Sequence, residues 1–104
     1  MVRAEVLRSK EPHLIADVAL WSTEDGGRTI PALPGWGCPL MVSKEKPLIG
    51  WDAWPLLGDT PLLPGDRRRL GFVFSNQAGI EAIRASGKFF LWEMRFIGEA
   101  TVVE

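Results

Sequence analysis

The chain has 104 residues, 46% hydrophobic and 24% charged, which is the size and composition of one globular domain and excludes an intrinsically disordered segment. Lys plus Arg total 12 and Asp plus Glu total 13. That balance argues against broad nonspecific nucleic-acid binding, because neutralising phosphates with basic residues supplies most of that affinity. Cys38 is the single cysteine, so no intramolecular disulfide can form, in keeping with a reducing compartment.

The 11 Gly and 8 Pro are spread along the chain and cut it into short pieces, the mark of barrels and sandwiches rather than helical bundles. Val2 to Arg8 alternates Val2, Ala4 and Val6 against Arg3 and Glu5, the pattern of a half-buried strand. Leu14 to Trp21 is the next strand, with Ala16, Val18 and Leu20 sharing one face. Glu24-Asp25-Gly26-Gly27 is a turn. Thr29 to Leu33 restarts extended structure, Pro34-Gly35 turns it, and Pro39 to Val42 is a short apolar strand. Ser43 to Asp59 reads as loop with at most one short strand at Leu48-Ile49, because Pro47, Gly50, Pro55 and Gly58 interrupt it. Pro64-Gly65-Asp66 forms a turn, after which Arg68, Leu70, Phe72 and Phe74 line one face of a strand and Arg67, Arg69, Gly71 and Val73 the other. One short helical stretch is expected near residues 77–86, capped by Asn76 and stopped by Gly87. Lys88 to Val103 is extended, with Phe90, Trp92, Met94 and Phe96 on one parity and an interruption at Gly98.

Four blocks carry a resemblance. Ala16-Asp17-Val18, followed by a short apolar strand, Ser22-Thr23-Glu24-Asp25-Gly26-Gly27-Arg28 and Pro31, is similar to the opening hairpin of the C-terminal β-barrel of the elongation factor Tu family of translation GTPases. Gly35-Trp36 resembles that domain's Gly-Tyr, and Leu63-Pro64-Gly65-Asp66 its Met-Pro-Gly-Asp turn. Phe89-Phe90-Leu91-Trp92-Glu93 with Ile97-Gly98-Glu99-Ala100-Thr101-Val102-Val103 resembles its final hairpin. The blocks occur in order over residues 14–103, and the fold they imply is an all-β, closed antiparallel barrel of about six strands, within a single domain spanning residues 1–104. The sequence departs from the family after Trp36, where Gly37-Cys38-Pro39 replaces Arg-Pro-Gln, and in the last turn, where Glu93-Met94-Arg95 is one residue shorter. In that family the barrel helps hold aminoacylated tRNA and contacts a nucleotide-exchange partner. Arg28 matches the arginine of its Gly-Gly-Arg turn, and Arg95 stands where the arginine of its last turn would be.

The candidate sites each have two readings. Arg28 either meets an RNA phosphate or pairs with Glu24 or Asp25 to steady its turn. Arg67 and Arg69 project from one strand face about 6.6 Å apart, suited to anions, or form an ordinary solvated surface, with Arg68 reaching water at the barrel end. Arg95 joins the RNA set through the resemblance. Trp36, Trp51 and Trp54, in Gly- and Pro-rich surroundings, are either an exposed partner surface or caps on the barrel ends. Exposed, Trp51 and Trp54 would also suit a homodimer. His13 and Cys38 are the candidates for a nucleophilic pair, without a recognisable orienting residue or motif context. They cannot build a zinc site of usual ligation without carboxylates, and Glu5, Asp17, Glu93 and Glu99 are unpaired in the sequence.

No Gly-x-x-x-x-Gly-Lys-Ser/Thr occurs, so nucleotide hydrolysis is not expected, and neither is a cofactor. The amino-terminal residues lack the apolar run of a signal peptide, and no stretch reaches the ~18 apolar residues of a membrane span. The expected location is the cytoplasm, without a membrane partner. The leading expectation is a non-catalytic module that binds a protein. The alternative is a module that contacts tRNA or other RNA, and a small cysteine-dependent hydrolase is a remote third.

Overall fold

The computed structural model describes residues 3–104. Six strands, β1 (Leu14–Leu20), β2 (Cys38–Met41), β3 (Gly50–Pro55), β4 (Arg67–Phe74), β5 (Lys88–Trp92) and β6 (Phe96–Val102), close into an antiparallel barrel in the order β1-β4-β3-β2-β5-β6. Two helices, α1 (Arg3–Arg8) and α2 (Gln77–Ser86), lie outside the ring. The all-β barrel expected from the sequence is the observed fold. Closure pairs β6 with β1, so no strand is left with a free edge.

Alternation decides which side chains fill the barrel. Leu14, Ala16, Val18 and Leu20 of β1 are buried, as are Leu70, Phe72 and Phe74 of β4, Phe89 and Leu91 of β5, and Leu40 of β2. Phe72 and Phe89 meet edge to face across the interior, with centroids 5.4 Å apart. Each such ring contributes about 1.5–3 kcal/mol by leaving water, and the paired geometry adds about 1 kcal/mol.

Helix α2 is capped as the sequence implies. The Asn76 side chain accepts from Gly79 N at 2.8 Å, and Gly87 takes a left-handed φ of 75° while its N–H donates to Ile83 O. Ile80 and Ile83 face the core.

Three expectations are corrected. Residues 3–8 are helical rather than a strand; Val2, the first residue of the expected strand, lies outside the described residues. Ala4, Glu5, Leu7 and Arg8 are good helix formers, and a closed barrel offers no edge to a seventh strand. Gly50–Pro55 is strand β3, not loop. Its alternation, with Ala53 and Pro55 buried between exposed Asp52 and half-buried Trp54, outweighs its Gly and Pro, and Pro55 ends the strand, where a missing N–H is tolerated. Finally, Lys88 to Val103 is a hairpin. The register slips between Leu91 and Trp92, and Met94, at a φ of 64°, occupies the tip, so it does not share a face with Phe90, Trp92 and Phe96.

Candidate functional site

The Gly26-Gly27-Arg28 turn and the Glu93–Arg95 turn are held together by two arginines. The side chain of Arg28 is 10% exposed and pairs with Glu93 at 2.5 Å. Its Nε donates to Ile30 O at 3.1 Å, and its guanidinium carbon lies 5.1 Å from the Trp36 ring centroid. Trp36 Nε1 donates to the same Glu93 oxygen at 2.9 Å. From the opposite turn, Arg95 donates to Gly26 O at 3.0 Å and Gly27 O at 2.9 Å. Gly27 is required there, since a Cβ would lie 2.0 Å from Trp21 O. The partner of Arg28 is therefore Glu93, 65 residues away, and not Glu24 or Asp25. Asp25 instead accepts from Ser22 Oγ at 2.9 Å. A guanidinium with this many protein acceptors has little left for a phosphate.

The outer face of β4-β1-β6-β5 bounds a groove of about 620 Å³. The registers place Arg69, Asp17, Thr101 and Lys88 in one row across it and Arg67, Ala19, Glu99 and Phe90 in the next. Arg69 donates twice to Asp17, at 2.7 and 3.1 Å. This hydrogen-bonded guanidinium holds the Asp17 carboxyl below the usual aspartate range, and the carboxylate in turn raises Arg69. Arg68 donates to Thr60 O and Leu57 O, closing a loop rather than reaching water alone. The Arg67 guanidinium and the Lys88 ammonium have no partner among the described residues. Of the four candidate arginines, Arg28 and Arg95 form one cluster, Arg69 is neutralised, and Arg67 is free.

The three candidate tryptophans are half-buried, and Trp51 and Trp54 lie on opposite faces of β3. Trp36 belongs to the Arg28 cluster. Trp51 packs beneath α2, where a Cβ on Gly79 would lie 2.8 Å from its Cβ. Trp54, on the opposite face of β3, covers Gly37, where a Cβ would meet its Cδ1 at 2.3 Å.

Cys38 is buried, and burial pushes its thiol up to about 12, the reverse of the shift that activates a nucleophile. The Nδ1 atom of His13 accepts from Phe74 N at 2.9 Å, on β4, and β3 separates β4 from the strand that carries Cys38. Among the described residues no three His, Cys, Asp or Glu side chains are grouped to hold a metal, and no helix is long and apolar enough to cross a membrane.

Sequence reading did not single out the apolar side chains that the structure leaves in water around the Arg28 cluster. Ile30 is 62% exposed, Leu33 60%, Leu63 47% and Met94 84%. They belong to segments tied to one another by Arg28–Glu93, by the Ala32–Leu62 bridge and by the Arg95 contacts to Gly26 and Gly27. The available signal was Ile30-Pro31-Ala32-Leu33 itself, an aliphatic run flanked by turns. No protein-family model and no curated protein sequence matches the chain.

Proposed function

We propose that the chain is a non-catalytic binding module that docks a protein on the barrel end built around Arg28 and Glu93. The observation that carries this reading is the set of exposed Ile30, Leu33, Leu63 and Met94 on a frame fixed by hydrogen-bonded arginines. Large apolar side chains grouped on a rigid surface are what a protein partner buries. Glu24 and Asp25 are exposed in the adjoining turn, so the partner that fits carries an apolar centre with a basic rim.

The resemblance to the C-terminal barrel of elongation factor Tu supports a binding role without choosing the partner, because that barrel contacts both a protein and tRNA. The surface favours the protein. Three of the four arginines that would meet RNA are engaged within the chain, which leaves Arg67 with Lys88 for that reading.

The test compares proteins retained by the parent chain and by a Leu33→Glu/Met94→Glu variant, both shown to be folded. A partner retained by the parent and lost by the variant is expected. An identical retained set would sink the proposal. Filter retention of bulk tRNA that falls in Arg67→Ala but not in the apolar variant would move the function to the groove and to RNA.

A further inference from the structure

Lys44 follows β2 on a segment, residues 42–50, that is exposed throughout. Its ammonium lies 4.8 Å from the ring centroid of Trp21, 4.9 Å from that of Phe90 and 5.5 Å from that of Phe96. The three walls belong to the barrel. Trp21 directly follows β1 and donates its backbone N–H to Ile97 O at 2.9 Å. Phe90 is in β5 and Phe96 opens β6, and their rings meet edge to face at 5.8 Å. All three rings are half-buried, so each offers part of its surface to a guest.

Among the described residues no carboxylate pairs with Lys44. A cation among ring faces is held by their quadrupoles, but a primary ammonium has three N–H donors that rings satisfy poorly. A trimethylammonium group carries the same charge with no donor to leave unsatisfied, and its methyls match the apolar walls. Glu99, opposite Phe90 in the β5–β6 pairing, adds a negative charge on the same outer face. Lys44 can also leave readily. The side-chain hydrogen bond within its segment is local, from Glu45 N to Ser43 Oγ.

We propose that Trp21, Phe90 and Phe96 form a binding cage for a trimethylammonium group, and that Lys44 is an internal stand-in which the guest displaces. The group can come from a trimethylated lysine of another protein or from a choline head group. The cage adjoins the barrel end proposed for docking, since Trp21 O packs against Gly27 and Phe96 follows Arg95, but the inference rests on the ring contacts of Lys44 and does not depend on that reading.

The experiment is an NMR titration of the full chain that follows the Trp21 indole N–H. The parent and Lys44→Ala are titrated with tetramethylammonium, with a trimethyl-lysine peptide, with phosphocholine and with the neutral choline isostere 3,3-dimethylbutanol. Apparent affinity falls in proportion to the fraction of molecules whose cage is free, so Lys44→Ala is expected to bind tetramethylammonium on the order of tenfold more tightly than the parent. Tighter binding of the peptide than of phosphocholine identifies a protein source, and the reverse identifies choline. Phe96→Leu, with its fold verified by the dispersion of its spectrum, is expected to lose the site. The proposal is overturned by an absence of saturable shifts in Lys44→Ala, by a neutral isostere that binds as well as the cation, or by equal affinities in parent and Lys44→Ala. A folded Phe96→Leu that binds like the parent overturns it as well.

Discussion

Arg28 shows how a residue that reads as a ligand contact from sequence becomes a structural tie. Its guanidinium is nearly enclosed, and its carboxylate partner Glu93 is 41% exposed, so the pair sits between a screened surface bridge and a buried one. Replacing Arg28 with Ala leaves Glu93 and the Ile30 and Pro31 carbonyls short of a donor, at a cost of about 2 kcal/mol, measurable by urea denaturation. A double-mutant cycle with Glu93→Gln should show coupling between the sites; additive effects would mean that the contact is incidental. The exposed Asp17–Arg69 pair makes a different prediction. The folded carboxyl titrates below its unfolded value of about 3.9, so whatever stability the pair lends is present above that pH and lost as pH falls through the folded value. The carboxyl carbon shift of Asp17 should titrate below the ordinary aspartate range and return towards it in Arg69→Gln. Cys38, with its thiol raised to about 12, should resist alkylation at pH 8 in the folded chain and react at the rate of an ordinary thiol once urea unfolds it. Fast alkylation of the folded chain would contradict its burial.

At the scale of elements, legibility followed the strength of alternation and the completeness of caps. β1 and β4 alternate cleanly, and α2 has both Asn76 and Gly87, so all three could be read. β3 could not, because the loop-like Gly50 and Pro55 mark its ends rather than its interior, and its inward residues include a proline. The sequence of α1 is ambiguous, because Val2, Ala4 and Val6 satisfy a period of two over too few residues to exclude a helix. The candidate site was less legible than the fold. Nothing local to Arg28 reveals Glu93, which arrives by barrel closure, and the exposure of Ile30 and Met94 depends on which loops cover the barrel ends. Gly79 tests the α2–β3 contact with a sign that propensity alone gets wrong. In an open helix Gly→Ala stabilises by about 1 kcal/mol, yet here the new Cβ would lie 2.8 Å from Trp51 Cβ and 2.9 Å from its Cγ. Overpacking of this kind costs about 1–3 kcal/mol, so Gly79→Ala should lower the urea midpoint. A raised midpoint would mean that Trp51 moves aside freely.

For the molecule as a whole, barrel closure turns sequence neighbours into different surfaces. Arg67 and Arg69 face one groove, Arg68 ties down the Leu57–Thr60 loop, and Arg28 and Arg95 lock the turns of one end. The chain carries 12 basic residues against 13 acidic ones, so long-range attraction cannot compensate for cations consumed internally. This sets a limit on any RNA binding through the groove. Among the described residues only Arg67 and Lys88 are free there, and counterion release gives a slope of log affinity against log salt of about −0.7 to −0.9 for each phosphate neutralised. Retention of tRNA on this face should therefore show a slope no steeper than about −2, and Arg67→Ala should reduce it by about one contact. A slope steeper than −4 would require Arg28, Arg69 or Arg95 to leave their partners, and the Arg28–Glu93 tie would then have to open on binding. That opening can be tested in the same titration. Glu93→Gln, which weakens the tie, should leave the salt slope unchanged when binding uses the groove alone, and should strengthen RNA binding when release of Arg28 is part of the process.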